Sequence, residues 1–155
     1  MKRVLTVMAM LLVVTGVFAG DWYPYAQEDK ITDITSLALI YVDEEQPNAM
    51  FSVLFSNGLT RFAIITNEYF SDRDNKITYR FDKEEPVTIK GWIGTGNVTV
   101  AFDSKTFLDD LKTHSQLILR LKPYNEPYMD IIIDLTNFNN VYKMSEPVIE
   151  LTLGE

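Results

Sequence analysis

Apolar and polar residues alternate in short runs along most of this chain, and turn-forming residues separate the runs. The most strongly specified pair of runs spans residues 50–65, MFSVLFSNGLTRFAII. Its two halves flank Asn57-Gly58, a dipeptide that suits a two-residue type I′ hairpin because both central positions need positive φ. That turn places Ser56 opposite Leu59, Phe55 opposite Thr60, Val53 opposite Phe62 and Phe51 opposite Ile64. Side chains alternate across a strand, so Phe51, Val53, Phe55, Phe62 and Ile64 share one face. Turn chemistry and hydrophobic pattern thus agree on one register. A lone hairpin is marginal in water, so further strands must cover the aromatic face.

Residues 36–42 (SLALIYV) predict a strand buried on at least one face, ending in the loop from Asp43 to Asn48. Residues 76–82 (KITYRFD) alternate, with Ile77, Tyr79 and Phe81 inward. A short strand over 86–89 leads to Trp92, and 97–102 (NVTVAF) alternates again. The glycine-rich stretch 91–96 lacks the lysine-serine or lysine-threonine ending of a phosphate-binding loop, and no long helix follows it. It reads as a bend with Trp92 buried against the hairpin. One short helix is predicted over about 104–113, capped by Asp103 or Ser104, with Phe107, Leu108 and Leu111 as its apolar stripe. Residues 116–122 and 129–135 form a second hairpin, with Leu117, Leu119, Leu121, Ile131, Ile133 and Leu135 inward. Residues 138–145 are polar and aromatic, and 148–153 suggest a final edge strand. About eight short strands, with turn signals every 8–12 residues or so and one short helix, predict an all-β antiparallel β-sandwich.

The first residues follow a different pattern. Met1-Lys2-Arg3 precede an apolar run over 4–18, and Val17-Phe18-Ala19 fits the small-x-small rule for cleavage. Residues 1–19 are expected to be a helical signal peptide and residues 20–155 a single β-sandwich domain. The run is shorter than the roughly 20 residues that span a bilayer, so an uncleaved anchor is the less favoured alternative. The protein is therefore expected in the periplasm or outside the cell.

The full chain carries 14 basic and 22 acidic residues, a net charge of −8. Without Lys2 and Arg3 the balance is 12 to 22, or −10. An acidic surface repels nucleic acid and anionic headgroups. Nucleic acid is thus not an expected partner, and membrane contact is expected only through the signal segment before cleavage. The chain has no cysteine, so disulfides, thiolate zinc sites, cysteine nucleophiles and lipoprotein anchoring are all excluded. Export without disulfides suits a bacterial envelope or exterior.

The order of motifs carries a resemblance. It runs Trp22, Thr32-Asp33, the hairpin, Ile77-Thr78-Tyr79-Arg80-Phe81-Asp82, Trp92, Phe107-Leu108-Asp109-Asp110-Leu111, Arg120-Leu121-Lys122-Pro123-Tyr124 and Asp134-Leu135-Thr136-Asn137-Phe138. In this order the chain resembles the VasI family of exported proteins associated with type VI secretion loci, over roughly residues 21–140. It departs from that family in carrying Phe55 or Ser56 where members have a cysteine, and Gly94-Thr95-Gly96 where they have a serine. The resemblance implies an exported domain. It supplies no catalytic residues, and a type VI role does not follow from fold.

Local chemistry is sparse. His114, the one histidine, ends the predicted helix, where an imidazolium interacts favourably with the helix C-terminus. No Gly-x-Ser-x-Gly elbow accompanies it. Asp72, Asp74 and Asn75 are hard oxygen donors but lack the glycine and terminal glutamate of a calcium loop, so a self-bonded turn is the favoured reading. No catalytic, metal or cofactor residue is assigned. Three readings follow: a non-enzymatic envelope or secreted module that binds another protein; a carbohydrate-binding module stacking sugars on Trp22, Tyr23 and Tyr25; and a hydrolase with an unlocalised carboxylate pair. The first is preferred.

Overall fold

The computed structural model describes residues 22–31, 34–46, 48–71 and 75–154. The expected signal helix over 1–19, and Asp72 and Asp74 of the calcium alternative, lie outside them. Among the described residues, ten strands form two antiparallel sheets, packed as a sandwich. The larger sheet runs β1 (Trp22–Glu28), β2 (Thr35–Val42), β3 (Ala49–Ser56), β4 (Leu59–Thr66), β8 (Thr99–Phe102) and β7 (Trp92–Ile93). The smaller runs β10 (Met129–Asp134), β9 (Gln116–Leu121), β5 (Lys76–Phe81) and β6 (Val87–Lys90). Helix α1 (Phe107–Thr113) links β8 to β9, and helix α2 (Phe138–Leu153) follows β10.

The central hairpin has the register its turn dictates, with Ser56 opposite Leu59 and Phe51 opposite Ile64. Asn57 and Gly58 take φ of 51° and 73°, as a type I′ turn requires. The five residues assigned to its inner face are all fully buried. The tip also reaches α2: the Gly58 N–H donates to the Thr152 carbonyl at 3.0 Å. That occupies one of the carbonyls that a helix C-terminus leaves without an intrahelical donor.

Phe107 is the hub of the core. Its ring lies 4.8 Å from Phe62 and 4.9 Å from Phe102 of the large sheet, and 5.0 Å from Tyr79 and 5.1 Å from Phe81 of the small one. Helix α1 therefore joins the two sheets through one aromatic side chain. It begins later than its sequence suggests, with Thr106 at the N-cap position and no side-chain cap, so neither Asp103 nor Ser104 caps it.

The C-terminal segment corrects the sequence reading. Residues 138–153 form one helix, with no edge strand over 148–153. Its buried residues, Phe138, Val141, Ser145, Val148, Ile149 and Thr152, recur at helical spacing. The larger sheet is two strands wider than the smaller, and α2 packs on β1, β2 and β3. Pro147 lies inside this helix and is exposed. Its penalty of roughly 3 kcal/mol is outweighed by Phe138, Val141, Val148 and Ile149, each worth about 1.5–3 kcal/mol when buried. Strands β1 and β7 bring the count to ten rather than eight.

The two tryptophans exchange their expected places. Trp92 is 40 % exposed and Trp22 only 1 %. The chain crosses from β6 to β7 at Gly91, where a Cβ would fall 2.7 Å from the Ala101 carbonyl oxygen. This close approach holds β7 against β8. Within the two-residue β7, Ile93 pairs with buried Val100 and packs on the core, and alternation then turns Trp92 outward.

Candidate functional site: the outer face of the six-stranded sheet

The outward side chains of the large sheet form rungs across its strands. One rung crosses all six: Tyr23, Ile40, Ser52, Ala63, Ala101 and Trp92. The next toward the hairpin tip runs Tyr25, Ala38, Leu54 and Arg61, and the one on the other side runs Val42, Met50, Ile65 and Thr99. Small side chains thus floor the middle of the face. Tyr23 and Tyr25 stand at one edge, 53 % and 57 % exposed, and Trp92 stands at the other. With strands about 4.8 Å apart, the two aromatic borders are separated by roughly 24 Å.

The face is nearly uncharged. Arg61 is the only charged side chain among the outward positions of these described strands. No described helix or strand packs over it. At the tip end it deepens into a cavity of about 470 Å³ lined by Gln27, Asp29, Ile34, Ser36, Leu54, Ser56, Asn57, Leu59 and Arg61. Its floor is pinned where the Ser36 and Ser56 hydroxyls share a 2.7 Å hydrogen bond.

Of the aromatic residues proposed to stack sugars, Tyr23 and Tyr25 lie on this face and Trp22 does not. Trp22 points inward, with its ring centroid 4.7 Å from Phe138, 5.4 Å from Tyr41 and 6.1 Å from Phe51. A stacking role for Trp22 is corrected accordingly: alternation along β1 sends positions 22 and 23 to opposite faces. Trp92, assigned to the core from its glycine flanks, joins the surface instead. Its outward direction was legible only through the pairing of Trp92 with Ala101.

Strand β10 is an edge strand, and a side chain from the β2–β3 loop and one from β1 occupy its outer hydrogen-bonding groups. The Gln46 amide donates to the Ile132 carbonyl at 3.0 Å and accepts from the Ile132 N–H at 3.1 Å. The Trp22 indole N–H donates to the Asp134 carbonyl at 2.8 Å. An edge so capped is poorly open to an added strand.

His114 ends α1, as its position in the sequence suggests. Its Nδ1–H donates to the Asp110 carbonyl at 2.8 Å, and Nε2 lies 3.2 Å from the Glu84 carboxylate. The Asp110 contact raises its pKa above the ordinary value, burial opposes this and Glu84 adds to it. Among the described residues, no three His, Asp or Glu side chains are grouped closely enough to hold a metal ion, and no helix is long and apolar enough to cross a membrane.

No family model matches the chain, and no curated protein matches it in sequence. Among solved structures it is similar to invasion associated protein B from Bartonella henselae, with a TM-score of 0.61 at 12 % identity. The match covers 87 % of this chain and 97 % of that one. At that identity the likeness is one of fold, the two-sheet sandwich described above.

Proposed function

We propose that this chain is an exported, non-enzymatic β-sandwich module of the bacterial envelope or exterior, which binds another protein through the outer face of its six-stranded sheet. The single observation behind this reading is the uncharged rung from Tyr23 to Trp92 on a face that no described element covers. Contiguous exposed apolar surface of this kind marks interaction sites. Spanning about 24 Å by 20 Å, or roughly 500 Å², the face supplies over half of the ~800 Å² that each partner gives a standard interface. Export rests on residues 1–19 and on the resemblance to the VasI family, which belongs to the same proposal.

The test uses the protein beginning at Gly20 as bait in an extract of its own cell envelope, beside an Ala63→Arg variant. Ala63 lies mid-face, so a long charged side chain there should abolish retention of the partner without changing the melting midpoint. Equal retention by both proteins would remove this face from the proposal. Mass spectrometry of exported material should give an N-terminus at or near Gly20; an intact Met1 there would remove the signal peptide.

The exposed placement of Tyr23, Tyr25 and Trp92 favours a second reading, carbohydrate binding on the same face. Exposed aromatic rings can stack on the apolar faces of sugar rings, and the fluorescence of an exposed indole responds to such contact. Titration with envelope glycans should then change indole fluorescence in wild type but not in Trp92→Phe. An unchanged wild-type signal removes this alternative.

A further inference from the structure

The cavity at the hairpin end of the uncharged face has a shape that the strand register dictates. Two successive rungs build it: Gln27, Ser36, Ser56 and Leu59, then Tyr25, Ala38, Leu54 and Arg61. On the middle strands, β2 and β3, three of these four side chains are small, whereas β1 and β4 carry long ones. The result is a low floor at Ser36 and Ser56 between raised walls. It encloses about 470 Å³, within the roughly 300–1,000 Å³ of ligand sites. Floor and end wall are fixed by the fold. The two serine hydroxyls share a 2.7 Å hydrogen bond, and the turn beside Leu59 is anchored where the Gly58 N–H meets the Thr152 carbonyl.

Three chemistries meet in this cavity. The first is cationic. Arg61 is exposed, and among the described residues its guanidinium makes no hydrogen bond or ion pair. Asp29 also lines the cavity, but it follows β1, three strands from β4 or about 14 Å across the sheet. Its Oδ1 accepts the Ile31 N–H at 2.8 Å. Asp103, one residue past the Phe102 that pairs with Phe62, is exposed and forms no ion pair with Arg61. The second chemistry is the floor. Two hydroxyls that share one hydrogen bond keep an O–H to donate and lone pairs to accept, and the Gln27 amide adds both. The third is apolar, from Leu54 and the exposed Leu59.

We infer that this cavity receives the C-terminal end of the partner chain. The free main-chain carboxylate meets Arg61, the last peptide group lies on the serine floor, and an apolar last side chain packs on Leu54 and Leu59. The inference rests on the reading of this face as a protein-binding surface, and it names the part of the partner that enters. Arginine presents parallel N–H groups that match both oxygens of a carboxylate. The uncharged surroundings strengthen such a pair once the partner covers it, because little water or counter-charge is left to screen it. A peptide group brings one donor and one acceptor, and the hydroxyls and the Gln27 amide answer both. Size separates a chain end from an acidic side chain on the partner's surface. A lone carboxylate side chain would leave most of the 470 Å³ unfilled, whereas a terminal residue brings carboxylate, peptide group and side chain together. Capture of a terminal carboxylate is a recurring mode of peptide recognition.

The experiment is an NMR titration of the isotope-labelled protein beginning at Gly20, which contains both sheets and the whole core. The probe is the peptide acetyl-Gly-Ala-Leu with a free carboxylate. It should give saturable shifts confined to the signals of Ser36, Leu54, Ser56, Leu59 and Arg61. The same peptide with a C-terminal amide should bind at least about tenfold more weakly, the worth of a hydrogen bond to a charged group. Arg61→Gln should erase the difference between the two peptides, and Arg61→Lys should restore only part of it. Unchanged signals elsewhere in each variant confirm folding. No saturable shift at millimolar peptide, equal binding of acid and amide, or Arg61→Gln binding like wild type would overturn the inference. Tighter binding of octanoate or of acetyl-Gly-Glu-Gly-amide in the cavity would also overturn it, assigning the site to a fatty acid or to an acidic side chain. The two claims fall separately. Loss of the partner in Ala63→Arg with no peptide binding removes the chain end and keeps the face, whereas peptide binding with the partner still retained by Ala63→Arg removes the face and keeps the cavity.

Discussion

The indole N–H of Trp22, at the start of the first strand of one sheet, donates to the backbone carbonyl of Asp134, at the end of the last strand of the other. One side chain thus ties the two edges of the sandwich together while its ring fills the core against Tyr41, Phe51 and Phe138. Removal of this ring should cost about 3–5 kcal/mol, the usual range for a large buried aromatic. Paired thermal melts should show a large fall in midpoint for Trp22→Ala and little change for Trp92→Ala. The reverse order would return Trp92 to the core.

Phe107 supports a similar expectation for the helix that carries it. Because rings from both sheets meet there, Phe107→Ala should destabilise by about 3–5 kcal/mol. Phe107→Leu should cost distinctly less, since it retains much of the volume. Urea denaturation of the two variants checks the ranking, and equal midpoints would show that the site collapses without an aromatic ring.

Gln46 protects an edge. Gln46→Ala removes both hydrogen bonds to Ile132, a loss of about 1–2 kcal/mol, and frees part of the β10 ladder for pairing with another chain. Light scattering on concentrated protein should show more self-association in the variant than in wild type. A variant that stays as dispersed as wild type would mean that Trp22 alone protects the edge.

Gly91 should resist even a methyl group. An added Cβ would meet the Ala101 carbonyl oxygen at 2.7 Å and the Ile77 Cδ1 at 3.0 Å. Gly91→Ala should therefore destabilise by about 1–3 kcal/mol through overpacking, whereas Gly154→Ala, with no atom near its Cβ, should suffer only from its positive φ. Denaturant midpoints for both variants test this, and an unchanged midpoint for Gly91→Ala would mean that β7 can shift away from β8.

His114 predicts a specific pH dependence. Its pKa is raised in the folded protein, first by the Asp110 carbonyl and further by Glu84. Its contribution is then fully present below the unfolded value of about 6.5 and is lost as pH rises through the higher folded value. Urea midpoints of wild type should fall slightly across that window, and those of His114→Gln should not. Parallel curves for the two proteins would assign the pH dependence to other groups.

What the sequence by itself determined was the local order. The Asn57-Gly58 turn, the register of its hairpin, the inward rows on β5, β9 and β10, and the place of His114 at a helix end all follow from interactions between near neighbours in the chain. Those interactions leave few alternatives, because a register slip would turn every apolar residue outward. Tertiary structure decided the rest. Helix α2 was hidden because Pro147 interrupts it locally, and only the uncovered inner face of β1–β3 supplies enough apolar burial to outweigh that. The two tryptophans were misplaced for a related reason. Local sequence shows that residues 22 and 23, or 92 and 93, point to opposite sides, but not which side is the interior. Trp22 goes inward because the core at Phe51 and Phe138 and the carbonyl of Asp134 receive its ring and its N–H. Trp92 goes outward because Ile93 already fills the inner position beside Val100. The uncharged outer face arises the same way, from strands far apart in sequence that only the sheet order brings together.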